Sequence, residues 1–226
     1  MAGMSRLKVL AGSLLAGVRR RSPRQDQSAL PRYANLLRLV RQHRCRRILE
    51  IGTHDGSNAE LLILAAQESH PCNSVEYFGF DLFEEMSERK RVDEFALVPP
   101  AEAVVMERLR QTGAQIKLYR GDSRVTLPAA AHEIGVVDIV FIDGGHSPKT
   151  TRSDWAYAQR HISPATVVVF DDYFENEDPA VRDLGCRGLV SALDPADWQV
   201  RLLEPLDAFE HPWGTLRTRM VEVRRR

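Results

Sequence analysis

The chain has 226 residues, 43% hydrophobic and 27% charged, with 31 basic and 31 acidic side chains that cancel to a net charge of zero. That length is enough for one domain with a full core and short for two. No apolar stretch approaches the roughly 20 residues that cross a bilayer, and the first residues lack the apolar block and cleavage site of a secretory signal, so a soluble cytoplasmic protein is expected.

The even balance hides a lopsided distribution. Residues 1 to 47 carry twelve Lys or Arg against one acid, Asp26. Leu7, Leu10, Leu14 and Val18 fall at helical spacing and would form an amphipathic helix with a cationic face, ended by Arg19-Arg20-Arg21-Ser22-Pro23. Packing on its own domain or a partner subunit, lying on a membrane surface, and serving as a targeting peptide or nucleic-acid contact are all open to it. Residues 1–30 are therefore divided off as a basic arm and linker, and residues 31–226 as one domain. Cys45, Cys72 and Cys186 stand far apart without Cys-x-x-Cys spacing, which suggests neither a disulfide framework nor a structural zinc.

After Pro31, the stripe Tyr33, Leu36, Leu37, Val40 predicts a helix that leads into the first strand. Strands are then expected at about 46–51, 76–81, 115–119, 137–142, 166–170, 197–203 and 215–223. Helices are expected at about 57–69, 101–112, 124–132, 149–161 and 179–192. Apolar strands alternating with helices call for an α/β fold: a doubly wound, mostly parallel seven-stranded sheet with helices on both faces. The last two strands lack a helix between them and can pair antiparallel. Residues 84–100, charged and ending Val98-Pro99-Pro100, suggest a mobile segment above the sheet.

In such a sheet ligands bind beyond the carboxyl ends of the strands. The first strand ends "ILEIGTHDGSN", where Gly52 and Gly56 form a tight turn before a helix whose first N–H groups are free. A dinucleotide fingerprint would want glycines at 52, 54 and 57, but His54 and Ser57 stand at two of those positions, so NAD is disfavoured. The second strand ends at Asp81, placed to accept the hydroxyls of a ribose. The third ends "LYRGDS", which brings Asp122 to the same cleft, as an acceptor for an adenine amino group or as the cap of the next helix. The fourth strand ends at Asp143 in "FIDGGHS", and the fifth at Asp171 and Asp172 after "TVVVF". Three acids on neighbouring tips would repel one another. A cation sits among them, or one is protonated or paired with an arginine, or Asp172 caps a turn.

With Glu50-Ile51-Gly52-Thr53-His54-Asp55-Gly56, Asp81 and Asp122 in this order, the chain resembles the class I S-adenosylmethionine-dependent methyltransferases over about residues 31 to 223. "DIVFIDGGHS" followed by "VVVFDDY" is similar to the branch that includes sugar O-methyltransferases and, more distantly, catechol-type O-methyltransferases. The resemblance implies a Rossmann-like methyltransferase fold that binds S-adenosylmethionine (SAM) through Glu50, Gly52, Thr53, Gly56, Asp81, Asp122 and Asp143. It further implies a divalent metal, usually magnesium, on Asp143, Asp171 and Asp172, and His146 at the position of the general base, with Asp143 beside it in catalysis. The sequence departs from the family at His54, where glycine is frequent, which implies a different hold on the methionine end of the cofactor.

Metal-assisted O-methylation of a hydroxyl on a carbohydrate or other small molecule is the expectation. A metal-independent N-methyltransferase, and an inactive cofactor-binding module acting through the basic arm, are the alternatives. The acceptor pocket is expected to come from segments such as 84–100 and 173–178. Expected partners are the small-molecule or carbohydrate acceptor, a second copy of the chain, and a membrane surface touched by the basic arm, but not nucleic acid.

Overall fold

In the computed structural model, which describes residues 31–211 and 214–226, strands β1 (Arg47–Ile51), β2 (Glu76–Asp81), β3 (Gln115–Arg120), β4 (Ile139–Ile142) and β5 (Val167–Phe174) run parallel in the order β3-β2-β1-β4-β5. The basic arm expected over residues 1–30 lies outside the described residues. Helices α1 (Tyr33–Gln42), α2 (Ser57–Gln67), α3 (Glu88–Asp93), α4 (Glu102–Arg110), α5 (Ser123–Ile134), α6 (Pro148–Ala158), α7 (Pro179–Arg182) and α8 (Arg187–Val190) precede, connect and follow these strands. Among the described residues no helix is long and apolar enough to cross a membrane.

The central strands read as unbroken apolar runs because both faces of the sheet are covered. Successive side chains point to opposite faces. Ile48, Ile139, Phe141, Val167 and Val169 therefore pack against Leu36 of α1, Leu62 and Ile63 of α2, and Val105 and Leu109 of α4. Their neighbours Leu49, Ile51, Val140, Ile142, Val168 and Phe170 face Leu127 and Ile134 of α5, Trp155 of α6 and Val190 of α8. Phe141 and Phe170 are fully buried, one on each face, and each such side chain contributes roughly 1.5–3 kcal/mol.

Beyond β5 come β6 (Trp198–Leu202), β7 (Asp207–His211) and β8 (Gly214–Arg225). β8 lies between β5 and β6, antiparallel to both, and β7 pairs with β8 to complete eight strands. β7 escaped the sequence reading because "DAFEH" is short and half polar: only Asp207 is buried in it. The single helix expected at 179–192 is instead two short ones, α7 and α8. Gly185 stands between them at φ +64°, and its backbone passes so close to the Asp172 carbonyl that a Cβ there would overlap it.

Where β5 pairs with β8, the register shifts between Phe170 and Tyr173, and Asp172 adopts a left-handed φ of +56°. In a regular strand Asp171 and Asp172 would point to opposite faces. The bulge re-aims them, and both carboxylates line the cleft at the strand tips.

Candidate active site

The cofactor half of the cleft is built by the turn after β1. Gly52 takes φ +98° and donates its N–H to the Phe80 carbonyl at 2.8 Å, while a Cβ at this position would collide with the Asp143 carbonyl of the neighbouring strand tip. No other residue fits there without moving that tip. Gly56, at φ +78°, turns the chain into α2 and packs against Val105. Asp81 ends β2 with its carboxylate held from both sides, Oδ2 by the His54 N–H at 2.7 Å and Oδ1 by the Phe83 N–H at 3.0 Å. It lines the cleft with acceptor capacity left over on each oxygen.

Glu50 and Asp122 are both held by groups of this chain, and Asp122 lines the cleft. Glu50 is fully buried beneath the cleft, where Tyr77 donates its hydroxyl to Oε2, and burial pushes the Glu50 carboxyl up to about 8. Thr53 bonds the same Tyr77 hydroxyl at 3.2 Å and reaches the cleft wall. Asp122 caps α5 by accepting from the Arg124 N–H at 3.1 Å. It also holds the Arg124 guanidinium at 2.8 Å and the Lys90 ammonium at 3.2 Å. The Arg124 hydrogen bonds keep its carboxyl well below the usual range.

A further acceptor on this side was not singled out in the sequence. Asp154, on α6, is 1% exposed and accepts from the Ser123 hydroxyl at 2.6 Å through Oδ1, while Oδ2 is buried without a partner among the described residues, at the cleft wall beside Gly144. Burial raises its carboxyl to about 7. Its only sequence signal was an acid on the inward stripe Thr151, Asp154, Trp155, Ala158 of an otherwise ordinary helix.

At the tips of β4 and β5 the charges interlock. Asp171, 3% exposed, receives Arg32 bidentately, Nε to Oδ1 and Nη2 to Oδ2 at 2.9 Å each, and Oδ2 also accepts the Tyr33 hydroxyl at 2.9 Å. The third Arg32 nitrogen, Nη1, bonds Asp207 of β7 at 2.9 Å. Burial works against the Arg32 charge, but Asp171 outweighs it and the guanidinium stays cationic. Tyr33 is driven far up by burial and by Asp143 and Asp171, so it remains a phenol and a donor. Asp143 lies 3.4 Å from that hydroxyl, and burial, followed by the charges of Asp171 and Asp172, raises its carboxyl pKa well above the ordinary aspartate value.

His146 donates Nε2 to Asp172 Oδ2 at 2.7 Å. Burial lowers the imidazole pKa, but the charge and hydrogen bond of Asp172 raise it more, and the net shift is upward; Asp172 is lowered, against its burial, by the same partner. With Nε2 engaged, Nδ1 is the ring nitrogen left for proton transfer. The loop is fixed locally: Ser147 caps α6, Pro148 opens it, and Glu94 accepts from the Ser147 N–H at 3.0 Å and the Thr150 hydroxyl at 2.6 Å.

A metal on Asp143, Asp171 and Asp172 does not fit this donor set. Magnesium wants several oxygen ligands free to face it. Both Asp171 oxygens are already held by Arg32 and Tyr33. Of the arrangements the sequence left open, pairing with an arginine is the one Asp171 adopts. Asp143, His146 and Asp172 do offer one atom each within 4.8 Å of one another, yet His146 is bonded to Asp172, and an imidazole is a poor ligand for a hard cation.

The cleft encloses about 1150 Å³, enough for an adenosyl cofactor and a small acceptor together. Its far wall is apolar, with Phe95 and Leu97 from the 84–100 segment, Phe174 from β5, Leu184, and Phe209 and Leu216 from the β7–β8 hairpin. The first two sources were expected; the hairpin was not.

The methyltransferase-domain family matches residues 49–173, from β1 through the bulge in β5. The O-methyltransferase TomG from Streptomyces achromogenes, involved in tomaymycin synthesis and solved with SAM, is similar at a TM-score of 0.62 and 17% identity, over 97% of this chain and 89% of that one. An O-methyltransferase from Bacillus cereus solved with SAH is similar at a TM-score of 0.58 and 18% identity, over 96% of this chain and 90% of that one. A calicheamicin methyltransferase is similar at a TM-score of 0.57 and 18% identity, over 97% and 93% of the two chains. At these identities the likeness is one of fold. No curated protein matches the chain.

Proposed function

Since the chain belongs to the methyltransferase-domain family, we propose that it carries a methyl group from SAM to a hydroxyl of a small, largely apolar acceptor, with His146 as the base. The observation that carries this reading is the His146–Asp172 pair, 2.7 Å apart, lining the same cleft as the Gly52 turn and Asp81. When bound, the cofactor supplies an electrophilic methyl group on a sulfonium.

Asp81 would accept the ribose hydroxyls, and Asp154 Oδ2, without a partner among the described residues, would take the adenine amino group in place of the occupied Asp122. His146 Nδ1 would take the proton of the acceptor hydroxyl, leaving that oxygen free to act as the nucleophile. Asp172 holds the imidazole in the required tautomer and stabilises the imidazolium that results. Burial and the charges of Asp171 and Asp172 raise the Asp143 carboxyl well above the ordinary aspartate value, which disfavours a further negative charge where the attacking oxygen would approach. The wall of Phe95, Phe174, Phe209 and Leu216 supports an aromatic or aliphatic body over a bare carbohydrate.

Incubation with methyl-labelled SAM and a panel of phenols, catechols, glycosides and amines tests the proposal. Label on an oxygen of an apolar acceptor supports it. Label on amines alone, or on no acceptor while SAM binds, contradicts it.

A further inference from the structure

Three acids at the tips of β4 and β5, with Asp207 beside them, would form a strongly negative pocket if nothing offset their charges. The structure gives each of them a partner from this chain. Asp171 and Asp207 share the Arg32 guanidinium, Asp172 pairs with His146, and Asp143 meets the Tyr33 hydroxyl. Arg32 is 7% exposed, all three of its nitrogens are bonded, and its guanidinium carbon lies 4.8 Å from the Tyr33 ring centre and 5.9 Å from that of Phe209. A lysine could not reproduce this, because only the planar fork meets one carboxylate bidentately while a third nitrogen reaches another strand.

We infer that Arg32 is the fixed cation of this site and takes the place of a divalent metal, so that the protein neither binds nor requires one. The inference rests on the methyl-transfer reading only for its catalytic half. Arg32 is a positioning residue: it touches Asp171 and Asp207, fixing the bulge of β5 and the hairpin that walls the acceptor side, and it leaves His146 free to serve as the base. The link joins the entrance to α1, the tip of β5 and the start of β7, positions separated by 139 and 175 residues in the chain.

Manganese binding followed by electron paramagnetic resonance tests the metal half without any acceptor. The wild-type protein is expected to show no bound manganese at millimolar ion. Arg32→Met, which keeps much of the side-chain volume but removes the charge and the fork, is expected to gain a manganese site, at least a tenfold rise in bound ion, because the Asp171 carboxylate is released toward Asp143 and Asp172. A purely structural tie would leave metal binding unchanged on loss of Arg32. Should Arg32→Met fail to fold, Arg32→Lys, which keeps the charge but cannot grip Asp171 with two nitrogens, is expected to show the same gain in weaker form. Methyl transfer by the wild type is expected to be unchanged by a chelator. Stoichiometric manganese on the wild type at micromolar ion, turnover abolished by chelation, or no gain in either variant overturns the inference. SAH titrated in the same samples keeps the two readings apart: loss of SAH binding by the wild type refutes the methyltransferase reading, whereas a wild-type metal site with SAH bound refutes only the role of Arg32.

Discussion

Asp81 at the tip of β2 and the paired acids of β5, Asp171 and Asp172, are held by different means. Asp81 rests on backbone N–H groups from its own turn, Phe83, and from the turn after β1, His54, and it is left open to a ligand. Asp171 and Asp172 are closed off by side chains, one from Arg32 at the far end of the chain and one from His146 on the adjacent strand tip. Backbone donors fix a carboxylate without cancelling its charge, which suits a residue that grips a neutral ribose. The Arg32 guanidinium cancels charge and the His146 imidazole locks the geometry, which suits a place where a nucleophile must approach and a proton must move. The two halves should therefore fail in different ways.

The largest separation is expected from His146→Ala. Turnover should fall by roughly 10²–10⁴-fold, the range of a lost general base, while SAH affinity measured by calorimetry stays within about twofold. The residual rate should climb with pH as hydroxide replaces the imidazole. A fully active variant places the base elsewhere.

Gly52→Ala strikes both halves at once, since its Cβ meets the Asp143 carbonyl and its φ of +98° disfavours any side chain. A loss of about 2–3 kcal/mol in urea denaturation is expected, with cofactor affinity falling alongside. A neutral result would mean that the turn can shift without cost to the strand tip beside it.

Asp172→Asn sharpens the comparison through pH. The His146 pKa is raised because of Asp172, so the wild-type rate should increase as pH rises through that elevated value and the imidazole loses its proton. Removing the charge should move the midpoint of the rate profile to lower pH and reduce the plateau. Stability runs the other way. The raised histidine contributes stability that is full below about 6.5 and is lost as pH climbs through its folded pKa, while the depressed Asp172 contributes stability present above about 3.9 and lost as pH falls through its own. The pair thus supports the fold most strongly between those limits, and thermal melts of the wild type and Asp172→Asn should diverge most there.

The smallest effect is expected at Asp154. Its folded carboxyl lies at about 7, above the ordinary value, so ionisation costs stability as pH rises from about 4 through 7. Asp154→Asn should melt higher than the wild type at pH 8 and equally at pH 4, while its affinity for SAH falls a few-fold. Equal melts at both pH values would show that this carboxyl ionises freely.

The contrast between the halves also explains what the sequence disclosed. The parallel order of the sheet, the Gly52 turn and Asp81 all follow from local pattern: apolar runs, a glycine between strand and helix, an acid at a strand end. So does the placement of Asp143, His146 and Asp172 together. Asp122 and Asp171 carry the same pattern, but neighbours the pattern does not contain decide their roles, Arg124 and Lys90 for one, Arg32 and Tyr33 for the other. In the sequence Arg32 is one more member of a basic N-terminal stretch. Only the fold shows this cation buried against Asp171. β7 and Asp154 stayed hidden for the opposite reason: a five-residue, half-polar strand and a lone acid in a helix have no periodicity to betray them.

Calorimetric titration of SAM into the wild-type protein, Asp81→Ala and His146→Ala tests the division of the cleft most directly. The account predicts micromolar binding by the wild type, at least tenfold weaker binding by Asp81→Ala, and unchanged binding by His146→Ala. Equal affinity in the wild type and Asp81→Ala, or no binding by the wild type at all, would contradict it.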